Sequence, residues 1–130
     1  MIKKIKIIPV VCMLCFTAMA SVDIYSVITD AILDSDARAI SQYFNKNVEM
    51  TIIDEENVYS KTQAEQVLRD FFTKNKPASF RIIHKGVSKE GAKYAIGNLI
   101  TVSGVEFRTY FFVKNVSSGE FIQELRFEKE

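Results

Sequence analysis

Apolar positions along the chain change period three times. Ala64, Val67, Leu68, Phe71 and Phe72 recur at the spacing of one helical face, while Glu65, Arg69, Asp70 and Lys74 fall elsewhere, so this stretch predicts an amphipathic helix with a single stripe to bury. Ser60 followed three residues later by Gln63 has the form of a capping box at its start, and Pro77 stops it. Upstream, Ile24, Val27, Ile28, Ala31 and Ile32 predict a first helix over Val22–Leu33. Asp34-Ser35-Asp36 breaks it and caps a short second helix carrying Ala37, Ala39, Ile40, Tyr43 and Phe44, ending near Asn45. Val48 to Asp54 alternates as a strand, and Glu55-Glu56-Asn57 turns it into a brief return through Val58 and Tyr59 to the Ser60 cap.

From Ala78 onward the character is β, with runs Ser79–Val87, Ala92–Val102, Val105–Lys114 and Glu120–Glu128. Lys89-Glu90-Gly91 predicts a three-residue hairpin loop with glycine in the left-handed position, Ser103-Gly104 a two-residue loop, and Asn115 to Gly119 a five-residue loop. Cross-strand partners must share a face, so these loops set a register. Val102 stands opposite Val105, Ile100 opposite Phe107, Asn98 opposite Thr109 and Ile96 opposite Phe111; Val113 faces Phe121, Phe111 faces Gln123 and Phe107 faces Phe127. The expected fold is α+β, with N-terminal helices and one long helix packed on a curved antiparallel sheet.

This register gives each of the four strands one polar side chain on an otherwise apolar inner face, namely His84, Asn98, Thr109 and Gln123. A buried polar group without a partner costs roughly 1–3 kcal/mol. The four are therefore expected either to satisfy one another and trapped water or to line a cavity that takes a small apolar ligand. The same parity turns Ile83, Gly97 and Tyr110 outward in one row and Ala95, Phe112 and Ile122 in the next, bordered by Arg81, Arg108 and Arg126 with Glu124 near. An apolar patch rimmed by charge predicts an isologous homodimer through Ile83, Ala95, Tyr110, Phe112 and Ile122.

His84 is the only histidine, and acid–base work would need a second group to tune it. In this register Glu106, Glu120, Glu124 and Glu128 all point outward, Tyr94 points inward but a strand pair away, and Asp54 sits on another strand, so no catalytic residue is assigned. Carboxylate pairs such as Glu55-Glu56 and Asp34-Asp36 read as solvated turns, and neither a metal set nor a cofactor motif is present.

With 130 residues, 48% hydrophobic and 25% charged, the chain has the apolar mass for one domain with a real core. Its start differs in kind. Lys3, Lys4 and Lys6 precede an apolar run from Ile7 to Phe16 and then Ala18-Met19-Ala20, the layout of a secretory signal peptide over 1–20 ahead of a domain over 21–130. Export to the periplasm or beyond follows, with no membrane contact after cleavage. Cys12 and Cys15 leave with the leader, so the mature chain carries no disulfide. Loss of the three lysines leaves 14 basic residues against 16 acidic ones, a balance that does not draw in nucleic acid.

The words Val58-Tyr59-Ser60-Lys61, Ala64-Glu65-Gln66, Phe71-Phe72, Lys74-Asn75-Lys76-Pro77, His84-Lys85-Gly86 and Lys93-Tyr94-Ala95-Ile96-Gly97 resemble a family of small exported Bacteroidetes proteins classed as a domain of unknown function. The element order is similar to the nuclear-transport-factor-2-like, or cystatin-like, fold. The resemblance implies a cone with a pocket between sheet and helices, and it brings no catalytic motif. The reading it leaves is an exported, non-enzymatic binding module for a small apolar ligand or a partner protein, working as a dimer. A small enzyme with a pocket centred on His84 and a purely structural or inhibitory interaction protein are the alternatives.

Overall fold

A computed structural model describes residues 23–130; the signal peptide expected at 1–20 lies outside the described residues. Two helices open the described chain. Helix α1 (Ile24–Leu33) is capped by Asp23, whose carboxylate accepts from Tyr25 N–H, and α2 (Ala37–Ser41) by Asp36, which accepts from Ala39 N–H. The chain then enters β1 (Phe44–Ile52) and returns as β2 (Glu55–Ser60). Helix α3 (Lys61–Lys74) begins with the full capping box: Ser60 Oγ accepts from Gln63 N–H at 3.3 Å and Gln63 Oε1 accepts from Ser60 N–H at 3.1 Å. Two orphan donors are thereby satisfied at its first turn.

Four long strands follow, β3 (Pro77–Val87), β4 (Lys93–Thr101), β5 (Glu106–Val116) and β6 (Gly119–Lys129). The sheet is six-stranded in the order β2-β1-β6-β5-β4-β3. Every pairing is antiparallel except β1 with β6, which run parallel. The expected hairpin and meander thus join into one mixed sheet. Relative to expectation, β1 starts earlier and α2 ends earlier, because Phe44 pairs with Ile122 rather than continuing a helix.

The parity of β4 departs from expectation. Ser103-Gly104 does not close as a two-residue loop. Thr101 N–H donates to Val105 O at 2.9 Å, Val105 N–H donates back to Thr101 Oγ1 at 3.0 Å, and Gly104 takes φ +87°. The first hairpin has the same build, with Ser88 N–H donating to Ala92 O, Ala92 N–H donating to Ser88 Oγ, and Gly91 at φ +82°. Each is a three-residue loop ending on a left-handed glycine. One extra loop residue sends every β4 side chain to the opposite face. Gly97 accordingly pairs with Thr109, Leu99 with Phe107 and Ala95 with Phe111. A bulge at Ile83 and another at Gln123 add further shifts, so that Ile82 pairs with Gly97, and Phe127 with Thr109 rather than Phe107.

The helices lie on the concave face, and the interior is filled. Phe71 of α3 stacks on Phe127 (centroids 4.5 Å apart, planes at 28°) and meets Phe107 edge-on at 5.2 Å, while Phe72 meets Phe127 at 6.1 Å. Leu68, Leu99, Phe111, Ile122 and Leu125 close around them, all fully buried. Such burial contributes about 1.5–3 kcal/mol per large side chain.

Candidate functional site

The structure does not bring His84, Asn98, Thr109 and Gln123 together on the inner face. His84 is exposed on the outer face, with Nε2 3.2 Å from Tyr94 Oη. Tyr94 is itself outward, contrary to expectation; its ring lies across Gly86, where an added Cβ would come within 2.5 Å of it. Asn98 faces outward between its cross-strand neighbours Arg81 and Arg108. Gln123 occupies the β6 bulge, where its Oε1 accepts from Asn45 Nδ2 at 2.8 Å. Asp54 is exposed at the tip of the β1–β2 turn. The reason is the parity reversal of β4 together with the bulges at Ile83 and Gln123.

Thr109 alone of the four remains inside, fully buried, and its Oγ1 has no hydrogen-bond partner among the described residues. An unpaired hydroxyl in this setting is a net cost. Thr109→Val is therefore expected to raise the unfolding free energy by about 1 kcal/mol, read as a higher denaturant midpoint at unchanged slope; a lower midpoint would mean that the hydroxyl is satisfied in solution.

The expected dimer patch is also redistributed. Ala95 and Ile122 are fully buried on the concave face, and Gly97 lies there too, beneath the Phe80 ring. Tyr110 and Phe112 do face outward, and Ile83 stands 57% exposed at the β3 bulge. Ile96, expected inside, joins them. The outer face therefore carries three rows across β3, β4, β5 and β6: Arg81, Asn98, Arg108, Glu128; then His84, Ile96, Tyr110, Arg126; then Gly86, Tyr94, Phe112, Glu124. A cleft of about 250 Å³ opens between Ile96, Tyr110, Arg108, Arg126 and Glu128.

Charge on this face is unevenly paired. Arg126 binds Glu124 and lies 5.3 Å from the Tyr110 ring centroid, a cation–π contact. Burial, and then the Glu124 charge, push the Tyr110 hydroxyl pKa above the ordinary 10.0. Burial is the largest single influence on Arg126 and works against its charged form, but the Glu124 hydrogen bond and the charges of Glu124, Glu128 and Glu56 together outweigh it and hold the guanidinium above its usual range. Arg81 and Arg108 have no ion-pair partner among the described residues.

A second concavity lies at the far edge of the sheet. Between the β1–β2 turn and α3 runs a groove of about 470 Å³ floored by Ile52, Ile53, Tyr59, Val67 and Phe71. It continues into a shallower one of about 330 Å³ that shares Tyr59 and Val67. Ile53 sits at φ +61°, the first position of a two-residue loop, with its N–H donated to Phe127 O at 2.7 Å. A β-branched residue is strained there, and what holds it is the packing of its side chain against the core. Among the described residues no three His, Cys, Asp or Glu side chains converge to hold a metal ion, and no helix is long and apolar enough to cross a membrane.

Helices cupped by a curved mixed sheet of this order define the nuclear-transport-factor-2-like, or cystatin-like, fold, and solved proteins described in those terms share it. One, from Shewanella baltica, superposes with a TM-score of 0.63 at 14% identity, over 82% of this chain and 87% of its own. Residues 25–128 match the family described as Domain of unknown function (DUF4783), and the chain belongs to that family. Its member from Bacteroides ovatus has a TM-score of 0.75 at 28% identity, covering 81% of this chain and 94% of its own; that from Bacteroides fragilis has 0.75 at 26%, covering 83% and 100%. No curated protein matches the chain.

Proposed function

We propose that this protein is an exported, non-enzymatic binding module that works as an isologous homodimer through the outer face of β3 to β6. Export rests on the basic-then-apolar start of the chain, Lys3 to Phe16. The observation that carries the dimer is the order of residues in the three outward rows. A two-fold axis parallel to β4 and β5 lays β3 of one copy over β6 of the other and β4 over β5. Each row then meets itself reversed: Arg81 over Glu128, Asn98 over Arg108, Ile96 over Tyr110, Tyr94 over Phe112. At the rim Arg81 meets Glu128, His84 meets Arg126 and Gly86 meets Glu124, while apolar side chains fall at the centre, the anatomy of a specific interface.

Sedimentation velocity of the purified protein should give twice the subunit mass. Phe112→Asp should convert it to monomer, and Arg81→Glu should weaken association in a way that the added change Glu128→Arg restores. A monomeric wild-type protein at tens of micromolar, or a double variant no better than Arg81→Glu, would remove the dimer from this reading.

A further inference from the structure

We infer that the free edge of β2, with the groove beside it, takes an extended, basic and apolar segment of a partner protein as an added strand. The two edges of the sheet are not alike. At β3, Pro77 lacks a donor, Ile83 bulges, and Tyr25 Oη donates to Gly86 O at 3.0 Å, so the edge is interrupted at both ends and in the middle. The β2 edge has none of these guards. Its six residues pair with β1 in unbroken register from Ile52–Glu55 to Asn47–Ser60, and no strand of the described residues lies beyond it. The two-residue loop makes Ile52 and Glu55 a hydrogen-bonded pair, so by antiparallel alternation the N–H and C=O groups of Glu56 and Val58 point off the edge. Val58 itself is 65% exposed.

Strand addition takes affinity from such backbone groups and specificity from pockets for alternate side chains. The pockets are present. Tyr59, on the helix side of β2, borders both parts of the groove that runs beside the edge along α3. From Gln63 to Lys74 this side of α3 spans about 16 Å, matching about five residues of extended chain. Charge selects the occupant. Asp54, Glu55, Glu56 and Asp70 lie along the turn, strand and groove, and the one lysine lining the groove, Lys74, already binds Asp70 at 3.0 Å. A strand alternating lysine or arginine with valine or isoleucine satisfies the backbone, the groove and the acidic edge together.

The probe is a fluorescein-labelled peptide, acetyl-Lys-Val-Lys-Val-Lys-Val-Lys-amide, titrated by anisotropy against the purified protein. Saturable binding is expected, weakened at least tenfold by Val58→Pro, which deletes an edge donor, and by the surface pair Glu55→Lys with Glu56→Lys, which leaves the fold intact. A peptide of the same composition with lysines and valines in separate blocks should bind at least tenfold more weakly. Equal binding of the block peptide would overturn the inference by reducing the effect to charge alone, and no loss in the Glu55→Lys, Glu56→Lys protein would overturn it by showing that the acidic edge does not select the occupant. Sedimentation showing association through β2, lost in Val58→Pro, would overturn it in favour of a second copy. The Phe112→Asp protein should bind the peptide as the wild type does, which separates this site from the proposed dimer face.

Discussion

Truncating Phe71 to alanine is expected to lower the unfolding free energy by about 3–5 kcal/mol. Phe71 is the one side chain of α3 that touches three other aromatic rings, stacked on Phe127, edge-on to Phe107 and tilted against Phe72 at 5.8 Å. Its removal loses transfer free energy and leaves a hole among rings held by α3, β5 and β6, which cannot collapse together. Aromatic pairs add about 0.5–1.5 kcal/mol beyond their buried area, which places this site at the upper end. For a domain whose whole stability is of the order of 5–15 kcal/mol, the change removes a large fraction. Urea melts of the variant should show a much lower midpoint with the slope retained. Val67→Ala, one turn away but only partly buried, should cost much less. Equal losses at the two positions would mean that the aromatic cluster does not hold α3 to the sheet.

Gly97→Ala is the second large effect, and it tests the register directly. An alanine Cβ would stand 2.6 Å from Phe80 Cζ and 2.9 Å from the backbone oxygen of Arg81. The ring can swing aside, but the oxygen belongs to the paired strand β3 and moves only if the strand moves. Overpacking of this kind costs about 1–3 kcal/mol. Had β4 taken the parity expected from a two-residue Ser103-Gly104 loop, position 97 would be outward and alanine there would be neutral or mildly stabilising, since glycine weakens a strand interior. The sign of the change in stability therefore reports which face residue 97 occupies. Phe80→Leu should recover part of the loss in the double variant, because the two positions share one contact.

Much of this architecture was legible in the chain itself. The α3 stripe, its Ser60–Gln63 cap, the first helix and the four long β runs need only local information, because caps and amphipathic periods are satisfied within a few residues. The Lys89-Glu90-Gly91 loop was readable for the same reason. The loop after β4 carries an equal signal: Thr101-Val102-Ser103-Gly104 repeats the Ser88-Lys89-Glu90-Gly91 pattern of hydroxyl, two residues, glycine, and the hydroxyl bonds the same backbone donor in both hairpins. Read that way, Asn98 and Ile96 would have faced outward and Ala95, Gly97 and Leu99 inward. The bulge at Ile83 had no comparable mark, and neither did the one at Gln123.

What the sequence determined by itself is the set of elements, their boundaries to within a few residues, and the concave placement of Phe107, Thr109 and Phe111 on β5. What only the tertiary structure decided is which side of the sheet His84 and Gln123 occupy, that β1 joins β6 in parallel, and that no strand of the described residues lies beyond β2, whose edge runs beside a groove. The physical reason is the two-residue period of a strand. One extra residue in a loop or a bulge costs little locally, yet it exchanges the buried and solvent faces of everything beyond it, and only packing against the helices selects between the two.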